Sequence, residues 1–137
     1  MRVLDTNFLI DYLNGEKVTK EYYEANGGET EQWVIPVPAY AEALAGEGNI
    51  PDGDIEGVRT ALSWSETHAV DEHTAVIAGE IASEIAAEGP FLDGIDALIA
   101  AVGRELDAPV VSADSDLTHE ETKRVVDVEE YRKQGEV

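Results

Sequence analysis

Short apolar runs alternate along the chain with longer stretches of helical period. Val3-Leu4 meets Asp5, and a face of Leu9, Tyr12 and Leu13 follows at once. A strand therefore feeds a helix that Thr6 or Asn7 can cap and Gly15 can end. Glu16 to Gly28 is polar and predicts a second helix closed by Gly27-Gly28. Trp33-Val-Ile-Pro-Val37 predicts a buried strand, after which Pro38 opens a helix over Ala39 to Ala45 that stops at Gly46. Gly46 to Gly57 reads as a loop or a clip between helical hairpins, Val58 to Glu66 as helix, and His68-Ala-Val70 as a short strand. Asp71 or Thr74 caps a long helix to Ala87, in which Ala75, Gly79, Ala82 and Ala86 permit close helix packing before Gly89-Pro90. Ala97 to Val102 are apolar on all sides, the mark of a buried helix. Pro109-Val-Val-Ser112 predicts a central strand, Arg124 to Val128 another, and the polar segment 129–137 a fraying tail.

Strands separated by helices predict an α/β, three-layer α/β/α architecture with a central parallel sheet of four or five strands. With 137 residues and no repeat or linker, one domain over 1–137 is expected. A hydrophobic fraction of 43% fits a folded globule. No apolar run approaches the roughly 20 residues that span a bilayer, and the N-terminus lacks the form of a signal peptide, so no membrane association and a cytoplasmic location are expected. The chain has no cysteine, which leaves any metal to oxygen or imidazole ligands.

Charge changes the picture. Nine Lys+Arg against thirty Asp+Glu give a formal net charge of −21, and the acids are scattered rather than gathered in a tail. Such a field repels polyanions at low salt. It also suits a protein of a very salty cytoplasm, where a Debye length of about 3 Å at 1 M screens that repulsion. The spread of the acids and the scarcity of Lys favour this second, halophilic reading.

Four carboxylates occupy positions of similar kind. Asp5 follows the first strand, where open α/β sheets bind ligands, and can bond to nearby N–H groups or hold a cation. Asp96 lies in the first turn of the most apolar helix and shares a face with the small Ala100 and Gly103. Asp93, three residues earlier, is a cap or a second ligand. Asp114 follows the strand ending at Ser112 as Asp5 follows the first, with Asp116 two residues on; alone, that segment is an ordinary turn. Glu42 sits in an alanine-rich helix, where a Glu is usually solvated. Together these acids can converge at one edge of a parallel sheet. Clustered carboxylates repel one another and shift their pKa values upward, a conflict that a divalent cation resolves. Oxygen ligands select Mg²⁺ or Mn²⁺, and such a centre suits metal-assisted phosphodiester hydrolysis.

Other sets compete poorly. His68, His73 and His119 are dispersed, Ser63 and Ser65 lack an adjacent base, and no Gly-rich phosphate loop follows a strand. Trp33 and Trp64 read as core. A receiver-type phosphotransfer module would need a Lys at the end of a late strand, and none follows Ser112 there.

The segments Leu4-Asp5-Thr-Asn-Phe-Leu-Ile-Asp11, Glu42 with Gly46, Asp96-Ala-Leu-Ile-Ala-Ala101 and Val110-Val-Ser-Ala-Asp114-Ser-Asp116 resemble the PIN-domain nucleases. In size and motif order the chain is similar to the VapC-type toxins of toxin–antitoxin pairs, from Arg2 to about Val128. The resemblance implies an endoribonuclease whose quartet Asp5, Glu42, Asp96 and Asp114 surrounds Mg²⁺ or Mn²⁺. Asp5 and Asp96 would be the most direct ligands, Asp114 a further one, with Thr6 and Asn7 in support. It also implies a homodimer made through helical segments, and an antitoxin partner that reaches the Asp5 crevice with an Arg or Lys. A PIN-like module that binds without cutting, or an RNA-processing nuclease outside toxin–antitoxin systems, are the alternatives. Leu117 stands where the family often has Phe, and Ser112, which keeps the hydroxyl, where it often has Thr. Asp116 leaves open which acid closes the site. Arg2, Lys17, Lys20, Arg59 and Arg104 are the bases expected to draw RNA to the crevice.

Overall fold

A computed structural model describes residues 1–133. Its five strands are β1 (Arg2–Leu4), β2 (Trp33–Pro36), β3 (Glu66–His68), β4 (Val110–Ser112) and β5 (Val128–Glu130), all parallel in the order β3-β2-β1-β4-β5. The helices are α1 (Thr6–Leu13), α2 (Lys17–Ala25), α3 (Val37–Gly48), α4 (Ile55–Ala61), α5 (Glu72–Glu84), α6 (Gly94–Leu106) and the single turn α7 (Glu120–Lys123). The predicted α/β class and parallel sheet are therefore present, with five strands of the expected four or five. From β1 the chain moves outward to β2 and β3, then returns to the other side of β1 for β4 and β5. Right-handed crossovers put the helices of these two halves on opposite faces of the sheet. The direction reverses between β1 and β4, which makes the crevice beyond their carboxyl ends the switch point of the fold.

The core follows from the apolar runs. Val3, Leu4, Ile35, Val110 and Val111 are fully buried in the central strands, and Phe8, Leu9, Ile99 and Val102 close over them from the helices. Gly103 lets α6 approach β4: a Cβ there would meet Val110 Cγ2 at 2.7 Å and Ala108 O at 3.1 Å. Ala100, on the same face, is fully buried, as the helix pattern predicts.

Several boundaries differ from expectation. The cap of α1 is Asp5 itself, whose carboxylate accepts from Thr6 N, so neither Thr6 nor Asn7 is needed. Helix α3 starts at Val37 and runs through Gly46 to Gly48; nothing lies within 4 Å of a Cβ at Gly46, and no local contact forces a break. Helix α4 begins earlier than Val58 and stops at Ala61, because the third strand is Glu66–His68 rather than 68–70. This edge strand is largely exposed and offers no apolar pattern to read. Asp71 caps α5 in a capping box with Thr74, but the helix ends at Glu84, short of Ala87. Its small residues Ala75, Gly79 and Ala82 face outward, and Thr74, Ile77, Ala78 and Ile81 make the packed face.

The last strand is Val128–Glu130, not 124–128: Val125 N and Val126 N both bond to Thr122 O at 3.0 Å, which keeps the backbone helical there. The expected tail is consequently not loose through Arg132. Glu129 and Glu130 pair with β4, and Tyr131 is buried. Residues 134–137 lie outside the described residues.

Candidate active site

The end of β1 is tied to the end of β4, where Asp5 N donates to Val111 O at 3.0 Å. The Asp5 side chain is only 3% exposed. One carboxylate oxygen accepts from Thr6 N at 2.7 Å and the other from Ser112 Oγ at 2.6 Å. Ser112 Oγ in turn accepts from Asp114 N at 3.0 Å, so a single buried hydroxyl sets the spacing between the two strand-end acids. Asn7 Oδ1 accepts from Ala113 N at 3.4 Å and joins α1 to the same turn. Asp114 caps that turn, with Oδ2 accepting from Asp116 N at 2.9 Å and Leu117 N at 3.0 Å. Leu117 is fully buried and anchors the turn.

Asp96 enters from the first turn of α6, where Asp93 Oδ1 accepts from Asp96 N at 2.8 Å. Asp93 is thus a helix cap, and it is exposed. Glu42 enters from α3, its Oε1 accepting from Thr6 Oγ1 at 2.6 Å. Carboxylate oxygens of Asp96, Asp114 and Asp116 all come within 4.8 Å of one another. Asp5 flanks this group closely enough for its charge to act on Asp96, and Glu42 in turn acts on Asp5.

The electrostatics follow from the crowding. Burial first, then the neighbouring charges of Asp114 and Glu42, push the Asp5 carboxyl up to about 6, against the lowering effect of its Ser112 and Thr6 hydrogen bonds. Asp96 is pushed up to about 7, by burial and then by Asp114, Asp5, Asp93 and Asp116. Each of these acids is held in a charge field that a cation would relieve. The donor set is carboxylate and hydroxyl oxygen, the hard set that Mg²⁺ or Mn²⁺ takes. The residues present therefore fit a divalent ion.

The predicted acids Asp5, Glu42, Asp96 and Asp114 are brought to one crevice, with Thr6, Asn7 and Ser112 in the roles of spacers and clasps. Asp116 stands inside the group as well. Its i+2 offset from Asp114 across a turn was visible in the sequence, and the turn geometry turns its carboxylate to Asp96. Four of the five expected basic residues are engaged in ion pairs, and the fifth, Lys20, lines a cavity with Phe8, Tyr12, Tyr23, Glu24 and Trp64. Arg2 lies at the opposite, amino end of β1 and is held by Glu31 and Glu129. Arg104 is paired with Glu84 and donates to Val125 O. Arg59 pairs with Glu56 and Lys17 with Glu21. The histidines stay dispersed, and His119 Nδ1 caps α7 by accepting from Glu121 N at 3.0 Å. Trp33 is buried, its indole N–H donating to Gly28 O at 2.9 Å.

A parallel α/β domain with carboxylates gathered beyond the switch point of its sheet has its candidate site where open α/β sheets bind ligands. Residues 2–123 match the PIN domain, and the chain belongs to the PIN-domain family of nucleases. No curated protein matches the sequence. In fold it is similar to a chain of a toxin–antitoxin complex from Klebsiella pneumoniae, with a TM-score of 0.77 and 20% identity over 97% of this chain and 99% of that one. It is also similar to a chain of VapBC2 from Rickettsia felis bound to a DNA fragment from their promoter, with a TM-score of 0.75 and 20% identity over 96% and 98%. FitAcB from Neisseria gonorrhoeae gives a TM-score of 0.74 and 20% identity over 93% and 96%. Among the described residues no helix is long and apolar enough to cross a membrane.

Proposed function

We propose that this chain is a metal-dependent endoribonuclease and the toxin of a VapBC-type toxin–antitoxin pair. The observation that carries the reading is the convergence of Asp5, Asp96, Asp114 and Asp116 on the β1/β4 switch point, with Glu42 clasped to the same edge by Thr6. Family membership and the fold shared with toxin–antitoxin chains support it.

Asp96, Asp114 and Asp116, with Asp5 beside them, would hold Mg²⁺ or Mn²⁺. When bound, the ion would lower the pKa of a water and neutralise charge developing on the phosphate. The chain's own part is positioning. Ser112 Oγ holds the Asp5 carboxylate in one rotamer, and the turn N–H groups hold that of Asp114. Glu42 is exposed at the mouth, fixed by Thr6, where it can orient a water or accept its proton beside the scissile phosphate. RNA is the substrate of this reading. The partners are a second copy of the chain, docked through helices that leave the crevice open, and an antitoxin whose Arg or Lys pairs with the acids in place of metal.

The test is cleavage of RNA with Mg²⁺ or Mn²⁺ against chelator, in molar KCl, for wild type, Asp5→Asn and Asp96→Asn. Metal-dependent cleavage by wild type and its loss in both folded variants is expected. Full cleavage by a well-folded Asp5→Asn protein would exclude this site. Co-purification with the product of a short neighbouring reading frame, weakened by Asp5→Asn, would support the toxin role. Equal binding of wild type and variant would exclude the blocking contact.

A further inference from the structure

Helix α1 carries Asp5 as its cap and Thr6 and Asn7 in its first turn, yet it is only eight residues long. A helix of that length has little stability of its own and keeps its place through tertiary contacts. Its far end is held from an unexpected quarter. Asp11, in the second turn, is 9% exposed. Its Oδ2 accepts from Tyr131 Oη at 2.5 Å and from Arg132 Nε at 2.9 Å. The Tyr131 ring, 6% exposed, packs edge-on against the fully buried Phe8 with centroids 4.8 Å apart. Phe8 and Asp11 are neighbours on one face of α1. The residues just after β5 therefore grip this face with one ring contact and two hydrogen bonds to a single carboxylate oxygen. A buried carboxylate is costly unless paired, so the grip is specific to this geometry. It also lies beyond residue 123, where the match to the PIN domain ends.

We propose that Tyr131 and Arg132, acting through Asp11, are positioning residues that set the rotation of α1 and so hold Asp5 and Thr6 in register with Ser112 and Glu42. The inference rests on the nuclease reading for its consequence, not for its geometry. A side-chain tip stands about 5 Å from a helix axis, so a rotation of about 20° moves it by about 2 Å. That is enough to break the 2.6 Å bonds from Thr6 to Glu42 and from Ser112 to Asp5. Misplacement by about 1 Å can cost on the order of 100-fold in rate.

The test compares Tyr131→Phe, Arg132→Ala, Arg132→Lys and a control, Glu129→Gln. Glu129 bonds to Arg2 and Tyr22, on β1 and α2, and makes no bond to Asp11; it reaches Phe8 only through the edge contact of the Tyr22 ring. For each protein, thermal midpoint, the midpoint shift caused by Mn²⁺ alone, hydrogen exchange of the α1 amides, and kcat and KM for RNA are measured. Expected are faster exchange at Phe8 and Leu9, whose amides bond to Asp5 O, a smaller Mn²⁺ shift and a kcat lowered about tenfold or more at unchanged KM in Tyr131→Phe and Arg132→Ala. Arg132→Lys should recover part of each, and Glu129→Gln should lower the midpoint without these changes. A loss of midpoint alone, equal in Tyr131→Phe and Glu129→Gln, would overturn positioning and leave a structural tie. If Tyr131→Phe fails to fold, the Ala and Lys variants at Arg132 decide by the same comparison. If wild type cuts no RNA, the nuclease reading fails while exchange and the Mn²⁺ shift still judge the grip.

Discussion

The buried Asp5 gives the metal-free protein a pH dependence of defined sign. Its carboxyl is pushed from 3.8 up to about 6, chiefly by burial and then by Asp114 and Glu42. At about 1.4 kcal/mol per unit, a shift of about two units corresponds to about 3 kcal/mol. Between the two values the native state keeps the proton and the unfolded state has lost it. The unfolded state then binds fewer protons, so stability falls as pH rises. The contribution is full below pH 4 and is lost as pH passes through 6. Asp96, pushed up to about 7, acts in the same direction, more weakly because it is only half-buried.

Asp5→Asn removes this term. The amide oxygen can still accept from Thr6 N, while the amide nitrogen faces Ser112 Oγ, whose own proton then loses its acceptor. That loss costs about 1 kcal/mol at every pH and drops out of the comparison. Urea unfolding of both proteins in chelator at fixed KCl, from pH 4 to 8, reads the difference. The variant should gain about 2–3 kcal/mol on wild type across this range, with most of the change between pH 4 and 6. Saturating Mn²⁺ at pH 8 should stabilise wild type by about 2.7 kcal/mol at 100 times its Kd and so offset the variant's gain. A gap that stays constant with pH, or that moves in favour of wild type in chelator, would refute the electrostatic account of the crevice.

Asp116→Asn should weaken the Mn²⁺-induced midpoint shift with the fold intact. Asp114→Ala should weaken it too, and should also cost about 1–2 kcal/mol in urea unfolding through the two turn N–H groups it leaves unpaired. With a net charge of −21, the midpoint should rise steeply from 0.1 to 2 M KCl; a flat or falling midpoint would mean that the acidity is no adaptation to salt. Gly103→Ala should destabilise by about 1–3 kcal/mol, read by denaturation, because its Cβ would press on the fully buried Val110 side chain and on Ala108 O.

The strands at the centre were legible because burial on both faces leaves an unbroken apolar run, as in Val3-Leu4 and Val110-Val111. The edge strands were less so, since β3 has no apolar side chain and β5 only Val128, and ladder bonds to β2 and β4 hold them. The acids of the crevice could be picked out from thirty only by place: after a strand, or at the start of a buried helix. Residue type said nothing. Thr6 was visible as a support, but its clasp on Glu42 joins residues 36 apart, and the Asp11 grip joins residues 120 and 121 apart. Local pattern carries no information about such pairs, so the chain end read as a polar tail.

The fate of the basic residues follows from the same imbalance. With nine cations among thirty acids, a cation anywhere on this surface finds a carboxylate within reach. Arg2, Lys17, Arg59, Arg104 and Arg132 have done so. A crevice that gathers Asp5, Asp96, Asp114 and Asp116 repels phosphate until something positive occupies it. On the nuclease reading, the divalent ion must therefore serve substrate binding as well as chemistry, and salt must screen the remaining surface. Metal and RNA affinities are then thermodynamically linked, and each should strengthen the other by the same factor.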